Sequence, residues 1–498
     1  MPRLTLHPSG TSFDLPAGAP LQDHLFAHGV EFPCGGKGRC RGCRVRVVTG
    51  QVPVTEDDRR VFPAHELDAG WRLSCRCTAE SDLGLELAQW TASILSDDRA
   101  LELPARTGTG IAIDLGSTTL VAQAIDRSTG AVLGVRTALN PQAQHGADLM
   151  TRVDFARNGG ADRLRDLIRN ELGRLVTEVA AMTSVPVQRI TVVGNTVMHH
   201  LFCGLDILPL AFHPFEPTDD GLKTFRGSDL GWSSVAGAEV LFLPCLGGFV
   251  GSDILAGILA TGLHRRDTPA ALVDLGTNGE IVVGSAKGMR CASTAAGPAF
   301  EGASISCGMR AATGAVAGVE ISDGALRATV LGGGAARGVC GSGLVDAVAA
   351  GLELGWVRGN GRLADPARGL PLTDVANSGV KLVQKDVREL QLAKGAIAAG
   401  ISILAAQQGL AVEDLERIHL AGAFGNYINR TAAHRIGLLP FPAERVVPSG
   451  NTALLGARLA LNADDPGFPE IRALCQHFAL KSDPGFEDSY VDQMAFPA

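Results

Sequence analysis

Two stretches far apart in the chain share one pattern of apolar and polar positions. Residues 111–122 read Ile111-Ala-Ile-Asp114-Leu-Gly116-Ser117-Thr118-Thr119-Leu-Val-Ala, and residues 271–283 read Ala-Leu-Val-Asp274-Leu-Gly276-Thr277-Asn278-Gly279-Glu280-Ile-Val-Val. Each is an apolar β-branched run, an Asp-x-Gly-Ser/Thr turn and a second apolar run, which predicts a β-hairpin with a polar, glycine-containing turn. Glycine lets backbone approach oxygen atoms that a Cβ would keep away, so Gly116–Thr119 and Gly276–Gly279 suit a polyphosphate. Asp114 and Asp274 stand where a buried strand ends, placed to orient Mg²⁺ or its waters, since Mg²⁺ takes one or two carboxylates plus substrate phosphates. One such turn is weak support for a phosphate site. Two copies, 160 positions apart in the same strand context, predict duplicated lobes facing each other over a nucleotide.

The rest of the pattern alternates strands and helices. Residues 3–14 predict two short strands about a Pro-Ser-Gly turn, 20–29 a short helix, 44–48 a strand, and the alternation through Leu83, Leu85 and Leu87 another. Leu164, Leu167, Ile168, Leu172 and Leu175 recur at helical spacing within 162–181. A buried strand at 189–193 runs into Gly194-Asn195-Thr196 and a helix with adjacent His199 and His200. Neighbouring helix positions cannot both face one ligand, so helix packing is the plainer reading of that pair. Residues 241–260 repeat strand, glycine loop and helix, and Ser252-Asp253 read as caps of the helix start, with a transmission role between lobes as the alternative.

Gly338-Val-Cys340-Gly341-Ser342-Gly343 opens an apolar helix, where Gly341 and Ser342 would hold phosphate or ribose against backbone. It lacks the lysine of a Walker A loop, which excludes that motif. Residues 384–408 predict a long helix that begins polar and turns apolar, with Lys394 roughly 120° around it from Arg388. Strand 418–421 followed by Gly422-Ala-Phe424-Gly425 predicts a glycine loop lying under adenine or ribose. Asn451-Thr452 reads as a helix cap, Cys475 falls in a short helical segment, and the polar tail 479–498 reads as peripheral.

Composition narrows the class. A chain of 498 residues exceeds one core and divides into several domains. With 46% hydrophobic and 19% charged residues it is well buried rather than disordered. A net charge of −8 argues against a general affinity for nucleic acid or an anionic membrane. No run reaches the ~18 apolar residues of a membrane span, and Met-Pro-Arg-Leu-Thr-Leu-His has no leader-type apolar region. A cytoplasmic protein is therefore expected.

The eleven cysteines are odd in number and unevenly spaced, so a disulfide framework is not expected. Cys34, Cys40, Cys43 and Cys75 form C-x5-C-x2-C-x31-C, three of them on a glycine-rich loop. That set suits a [2Fe–2S] cluster, whose sulfides need a loop wrapped around them with many N–H groups. Four thiolates also suit zinc, although zinc sites usually carry C-x2-C twice and the later pair here, Cys75 and Cys77, is C-x-C. Two apart on a strand, Cys77 should point away from Cys75 and pack rather than ligate. Cys291, Cys307 and Cys340 sit on small-residue loops and read as space-filling thiols.

Cys34–Cys43 with Cys75 resembles the [2Fe–2S] ferredoxin fold, nearer its adrenodoxin-like branch. The paired Asp-Leu-Gly motifs and the late Ala421-Gly-Ala-Phe-Gly-Asn resemble the acetate kinase, sugar kinase, Hsc70 and actin superfamily. Joined in one chain, and with Val193-Gly-Asn-Thr-Val-Met-His-His, Pro298-Ala-Phe-Glu-Gly and Gln384-Lys-Asp-Val-Arg, they resemble the ATP-dependent reductive activators of corrinoid proteins. The resemblance implies a multidomain α/β protein: a β-grasp ferredoxin domain over 1–90, a linker over 91–108, actin-like (ribonuclease H-like) ATPase lobes over 109–265 and 266–478, and a tail. It implies a [2Fe–2S] cluster, ATP and Mg²⁺ as cofactors, a methyltransferase-system corrinoid protein reduced from cob(II)alamin to cob(I)alamin as partner, and an upstream reductase as electron donor. Longer members carry a further domain where residues 91–108 stand here, so the oligomeric state stays open. Two other readings compete: an electron donor like the 2-hydroxyacyl-dehydratase activators, which share the lobes but hold a [4Fe–4S] cluster between subunits, and a nucleotide-sensing redox scaffold.

Overall fold

A computed structural model describes residues 1–7, 10–25, 28, 30, 38, 43–87, 104, 106–146, 148–276, 278–297, 299–302, 304–372, 379–463 and 467–497. The N-terminal part builds a five-stranded sheet in the order Ser12–Asp14, Arg3–His7, Leu83–Leu87, Arg44–Thr49, Trp71–Leu73. Arg3–His7 runs parallel to Leu83–Leu87, and the other neighbours are antiparallel. Alternate residues Leu4, Leu6, Leu83, Leu85 and Leu87 turn inward to close a small core over the helix Leu21–Leu25.

The two predicted hairpins each sit inside a six-stranded sheet. The first sheet runs Val132–Leu139, Thr119–Asp126, Thr109–Leu115, Val187–Gly194, Glu239–Phe242, Lys223–Arg226. The second, read in the same sense, runs Cys475–His477, Gly288–Thr294, Gly279–Ser285, Ala270–Leu275, Arg417–Ala421, Val446–Gly450. In both, a three-stranded antiparallel meander is extended by parallel strands beside the aspartate-bearing one. The sequence repeat is thus a repeat of topology. Strands buried on both faces need covers, and Ala161–Ala180 and Gln384–Gln407 supply them by packing on the meanders. Helices Ser252–Thr261 and Thr452–Asn462 pack against each other between the two sheets, and Ala112, Val193, Leu255, Leu272 and Leu454 share one core there. A smaller sheet, Ala325–Val330, Ala315–Ser322, Gly338–Val339, carries the helix Gly341–Glu353.

Three expectations change. The tail is not peripheral: Phe496 is 5% exposed, Gln391 Nε2 donates to Met494 O at 2.9 Å, and Lys394 Nζ donates to Ala495 O at 2.6 Å. Lys394 is buried and Arg388 exposed, so the turn between them points the lysine at the tail. Cys475 starts a strand that pairs with Met289, because the helix before it ends at Leu474. Cys75 lies in a 3₁₀ turn, Ser74–Arg76, rather than on a strand. Gln384–Gln407 is long and apolar enough to cross a membrane, but 78% of its apolar window is buried, which makes it a core helix.

Candidate functional site

Asp114 and Asp274 end equivalent strands of the two sheets and line one cavity between the lobes. Gly116, Ser117, Thr118 and Thr119 line it from the first turn, and Gly276 and Asn278 from the second. Thr277 lies outside the described residues. Gly116 makes the first turn by necessity, since a Cβ there would come within 2.5 Å of Thr119 O. Gly341 and Ser342 open their helix at the cavity wall, and Gly422 and Phe424 line the second-lobe side.

Two predicted residues lie off the cavity. Gly279 is paired in the sheet with Leu275 and Thr294, and its missing side chain makes room for Ile397, 3.0 Å from where a Cβ would sit. Gly425 is buried in a short helix, Gly422–Tyr427, and faces Leu420. The expected glycine loop is that helix. Gly422 starts it with φ +84, and a Cβ there would meet Asp274 Oδ1 at 2.5 Å. The close approach lets the helix come down onto the carboxylate.

Three further carboxylates, Glu280, Asp253 and Glu301, line the cavity, and the hydrophobic pattern alone did not single out the first two. Glu280 pairs with Asp274 across the hairpin, so both side chains lie on one face. Asp253 lines the cavity from the start of Ser252–Thr261, its Oδ1 accepting from Ile254 N at 2.9 Å. Ser252 does not cap its own helix: its Oγ accepts from Gly194 N at 3.0 Å and donates to Gly194 O at 3.2 Å, tying the helix to the end of a first-sheet strand.

Burial sets the electrostatics. It pushes Asp114 up to about 6, against a stabilising hydrogen bond from Asn451. It pushes Asp274 up to about 7, helped by the charge of Asp114, and Asp253 up to about 8, helped by Asp274. Glu280 rises well above the carboxylate range through burial, then Asp253 and Asp274. Four buried carboxylates of this lining, raised in this way by burial, are a site for positive charge. Among the described residues no three His, Cys, Asp or Glu side chains converge to hold an ion by themselves. A divalent cation here would take one or two of these carboxylates, with waters and phosphate oxygens completing its shell, which fits Mg²⁺. On the apolar side, Phe300 and Phe424 stack at 4.4 Å and 18° and both line the cavity.

In the N-terminal domain the pairing of Arg44 with Leu73 sets Cys43 across from the Ser74–Arg76 turn. Ser74 donates to Cys43 O from its N–H at 3.0 Å and its Oγ at 2.8 Å, which binds the two cysteine-bearing segments together. Cys34 and Cys40 lie outside the described residues. Cys43 and Cys75 thus lie on adjoining backbone segments, two of the four thiolates that would hold an iron–sulfur cluster. Cys77 packs inward at 4% exposure, its Sγ donating to Leu73 O at 3.1 Å. Burial, then Asp58 and Cys75, pushes its thiol up to about 12.

His199 and His200 are fully buried and bound to backbone carbonyls, Nε2 of His199 to Gly221 O and Nδ1 of His200 to Thr196 O. Burial holds both below the usual histidine range. Their rings pack in the first lobe, His199 edge-on to Phe242 and to His200, and neither lines the cavity.

Comparison with known proteins covers the same ground. The family description "2Fe-2S iron-sulfur cluster binding domain" matches residues 4–80, "RACo middle region" matches 109–266, and "C-terminal domain of RACo the ASKHA domain" matches 268–498. The chain is 36% identical over 417 residues to the corrinoid activation enzyme RamQ of Eubacterium limosum, covering 78% of this chain and 70% of that protein. It is 28% identical over 427 residues to the [Co(II) methylated amine-specific corrinoid protein] reductase of Methanosarcina barkeri, covering 78% and 77%. The solved structure of a reductive activator for corrinoid, iron-sulfur protein superposes with a TM-score of 0.69 at 26% identity, covering 100% of this chain and 98% of that one. With a [2Fe–2S] ferredoxin domain, RACo middle and ASKHA-type ATPase regions in one order, the chain belongs to the RACo family of corrinoid-protein activators.

Proposed function

We propose that this protein uses ATP to drive one electron onto the Co(II) corrinoid of a methyltransferase-system protein, giving the Co(I) state. The observation that carries the reading is the placement of Asp114 and Asp274 across one cavity, in a chain whose N-terminal domain sets Cys43 beside Cys75. Held by Cys34, Cys40, Cys43 and Cys75, a [2Fe–2S] cluster would supply a one-electron carrier, refilled by an upstream reductase.

Gly116–Thr119, Gly276, Asn278, Gly341 and Ser342 present small side chains and backbone to the phosphates of ATP, with Phe300 and Phe424 as an apolar wall. Asp114 and Asp274 would hold Mg²⁺ and its waters, and the ion would supply countercharge to the phosphates and a polarised water for hydrolysis. Asn451 Nδ2 donates to Asp114 Oδ2 at 2.8 Å and holds that carboxylate in place. Cob(I) lies below the potential of an ordinary ferredoxin, so the electron step is uphill without help. ATP helps only if the lobe arrangements with and without it bind the corrinoid protein differently.

The test is anaerobic mixing of the holoprotein with a Co(II) corrinoid protein, a reductant and Mg-ATP. The Co(I) absorption band should grow in with ATP and not without it. A band that forms equally fast without nucleotide, or never forms, overturns the proposal.

A further inference from the structure

Five acidic side chains line the cavity between the lobes: Asp114, Asp253, Asp274, Glu280 and Glu301. Among the described residues that line it, Arg310 is the one lysine or arginine. A nucleoside triphosphate brings about four more negative charges at neutral pH, so it needs countercharge that one divalent ion only half supplies. The backbone that carries Arg310 is firmly placed. Met309 N donates to Val339 O at 2.9 Å, and Gly302 packs so close that a Cβ there would lie 2.6 Å from Met309 N. The strand end Gly338–Val339 that anchors it leads straight into Gly341 and Ser342 on the same cavity wall.

We propose that Arg310 is a phosphate-binding residue of the nucleotide site, gripping the β- or γ-phosphate through its guanidinium. The assignment rests on the reading of this cavity as the ATP site. Its test compares ATP and AMP affinity, measured calorimetrically on the full chain, for wild type, Arg310→Lys and Arg310→Gln. Arg310→Gln should weaken ATP by about tenfold to a hundredfold, the worth of a charge-assisted hydrogen bond, and AMP by less than about threefold. Arg310→Lys should recover part of the loss. Equal ATP affinity in Arg310→Gln and wild type overturns the assignment, as does an equal loss for AMP, which would mean a structural role. If wild type itself fails to bind ATP, the reading of the cavity falls instead.

A separate observation concerns the ferredoxin domain, which stands on both lobes at once. On the first lobe, Gln22 Nε2 donates to Gln144 O at 3.0 Å, while Leu139 and Ala143 pack on the ferredoxin core. That foothold is rooted in the nucleotide turn: Asn140, which caps Pro141–His145, donates from its N–H to Thr118 O at 2.8 Å and from Nδ2 to Gly116 O at 2.9 Å. On the second lobe, Arg337 Nη2 donates to Glu86 Oε1 at 3.0 Å. Arg337 N donates to Gly314 O at 2.8 Å, and the Gly314 loop continues back to Ala311 and Arg310 in the cavity wall.

We infer that the ferredoxin domain is a strap across the cleft, released when nucleotide moves the lobes. A rigid domain touching two bodies that shift relative to each other cannot keep both contacts. The inference also rests on the cavity being the ATP site, and small-angle scattering of the full chain, with and without a non-hydrolysable ATP analogue whose binding is measured separately, tests it. Analogue should raise the radius of gyration. Arg337→Ala should raise it without analogue while binding ATP as wild type does, and Arg337→Lys should stay compact. An unchanged radius in wild type saturated with analogue, or an Arg337→Ala protein as compact as wild type, overturns the strap. No measurable analogue binding would count against the ATP site itself.

Discussion

Asn451 donates its Nδ2 hydrogen to Asp114 Oδ2 at 2.8 Å, while its Oδ1 accepts from Leu454 N at 2.9 Å. One amide therefore caps the helix Thr452–Asn462 and fixes a carboxylate at the end of a first-lobe strand. Asn451→Asp keeps the cap acceptor but replaces the donor with a second negative charge. Asp114, already up to about 6 through burial, should then rise further, because like charges disfavour ionisation. ATPase activity should fall at neutral pH and recover in part as pH rises, while the melting temperature stays near wild type. A pH–rate profile of the variant checks this, and a profile superimposable on wild type would count against it.

Asp274→Ala should abolish corrinoid-stimulated ATP turnover. It should leave the visible spectrum of the cluster unchanged, because Asp274 lines the cavity while Cys43 and Cys75 belong to the N-terminal domain. Absorption spectra and phosphate release on the same preparation separate the two effects. Unchanged turnover would remove Asp274 from the site.

Asp253→Asn should change how stability depends on pH. Burial, then Asp274 and Asp114, pushes Asp253 up to about 8. Between the ordinary carboxylate value and about 8, the folded chain keeps a proton that the unfolded chain has released. Stability therefore falls as pH rises through that window, and the full loss is present above it. Asparagine cannot ionise, and its oxygen can still accept from Ile254 N. Without nucleotide, the variant should melt several degrees above wild type near about pH 8.5 and closer to it near about pH 5. Equal differences between variant and wild type at both pH values would show that Asp253 does not change its protonation between the folded and unfolded chain.

Cys75→Ala should lose the cluster spectrum, whereas Cys77→Ala should keep it and cost stability, by about 1 kcal/mol for one buried thiol and its hydrogen bond to Leu73 O. The 3₁₀ turn at Ser74–Arg76 separates the two cysteines, leaving Cys77 inside the core. Loss of the spectrum in Cys77→Ala would reverse that distinction.

The two hairpins were legible because strand, turn and strand are contiguous, and the aspartate stands where the apolar run stops. Glu280 was in plain view, but its place beside Asp274 depends on hairpin register, with Leu275 paired to Gly279. Asp253 was hidden for a different reason. Ser-Asp before an apolar run has the spacing of a helix cap, and only the packing of Ser252–Thr261 between two sheets turns the carboxylate toward Asp274. The Phe300–Phe424 stack joins a turn to a short helix more than a hundred residues away, and no local period announces it. Gly422–Gly425 has the composition of a loop, yet the anchoring strand and the approach of Gly422 to Asp274 make it a helix.

The tail shows the same limit, and it supports a last prediction. Phe486–Met494 has no fully buried residue, so its pattern reads as surface. Its hold on the second lobe comes from groups that periodicity cannot show. Backbone carbonyls of Met494 and Ala495 accept from Gln391 and Lys394, Phe496 N donates to Gly359 O at 2.8 Å, and the Phe496 ring inserts beside Lys394. Gly395 brings the two helices close, since a Cβ there would sit 3.1 Å from Met494 Cγ. Ending the chain after Gly485 should therefore destabilise the second lobe by at least about 2–3 kcal/mol, the worth of burying Phe496 alone. It should also bare the apolar face of Gln384–Gln407, the helix that covers the sheet carrying Asp274. Phe496→Ala should reproduce most of the loss, about 3–5 kcal/mol when a cavity is left behind. Denaturant titration with and without ATP checks both, because a loss confined to the second lobe lowers the nucleotide-dependent transition and spares the ferredoxin domain. A truncated protein that unfolds at the wild-type midpoint would make the tail the surface appendage that its composition suggests.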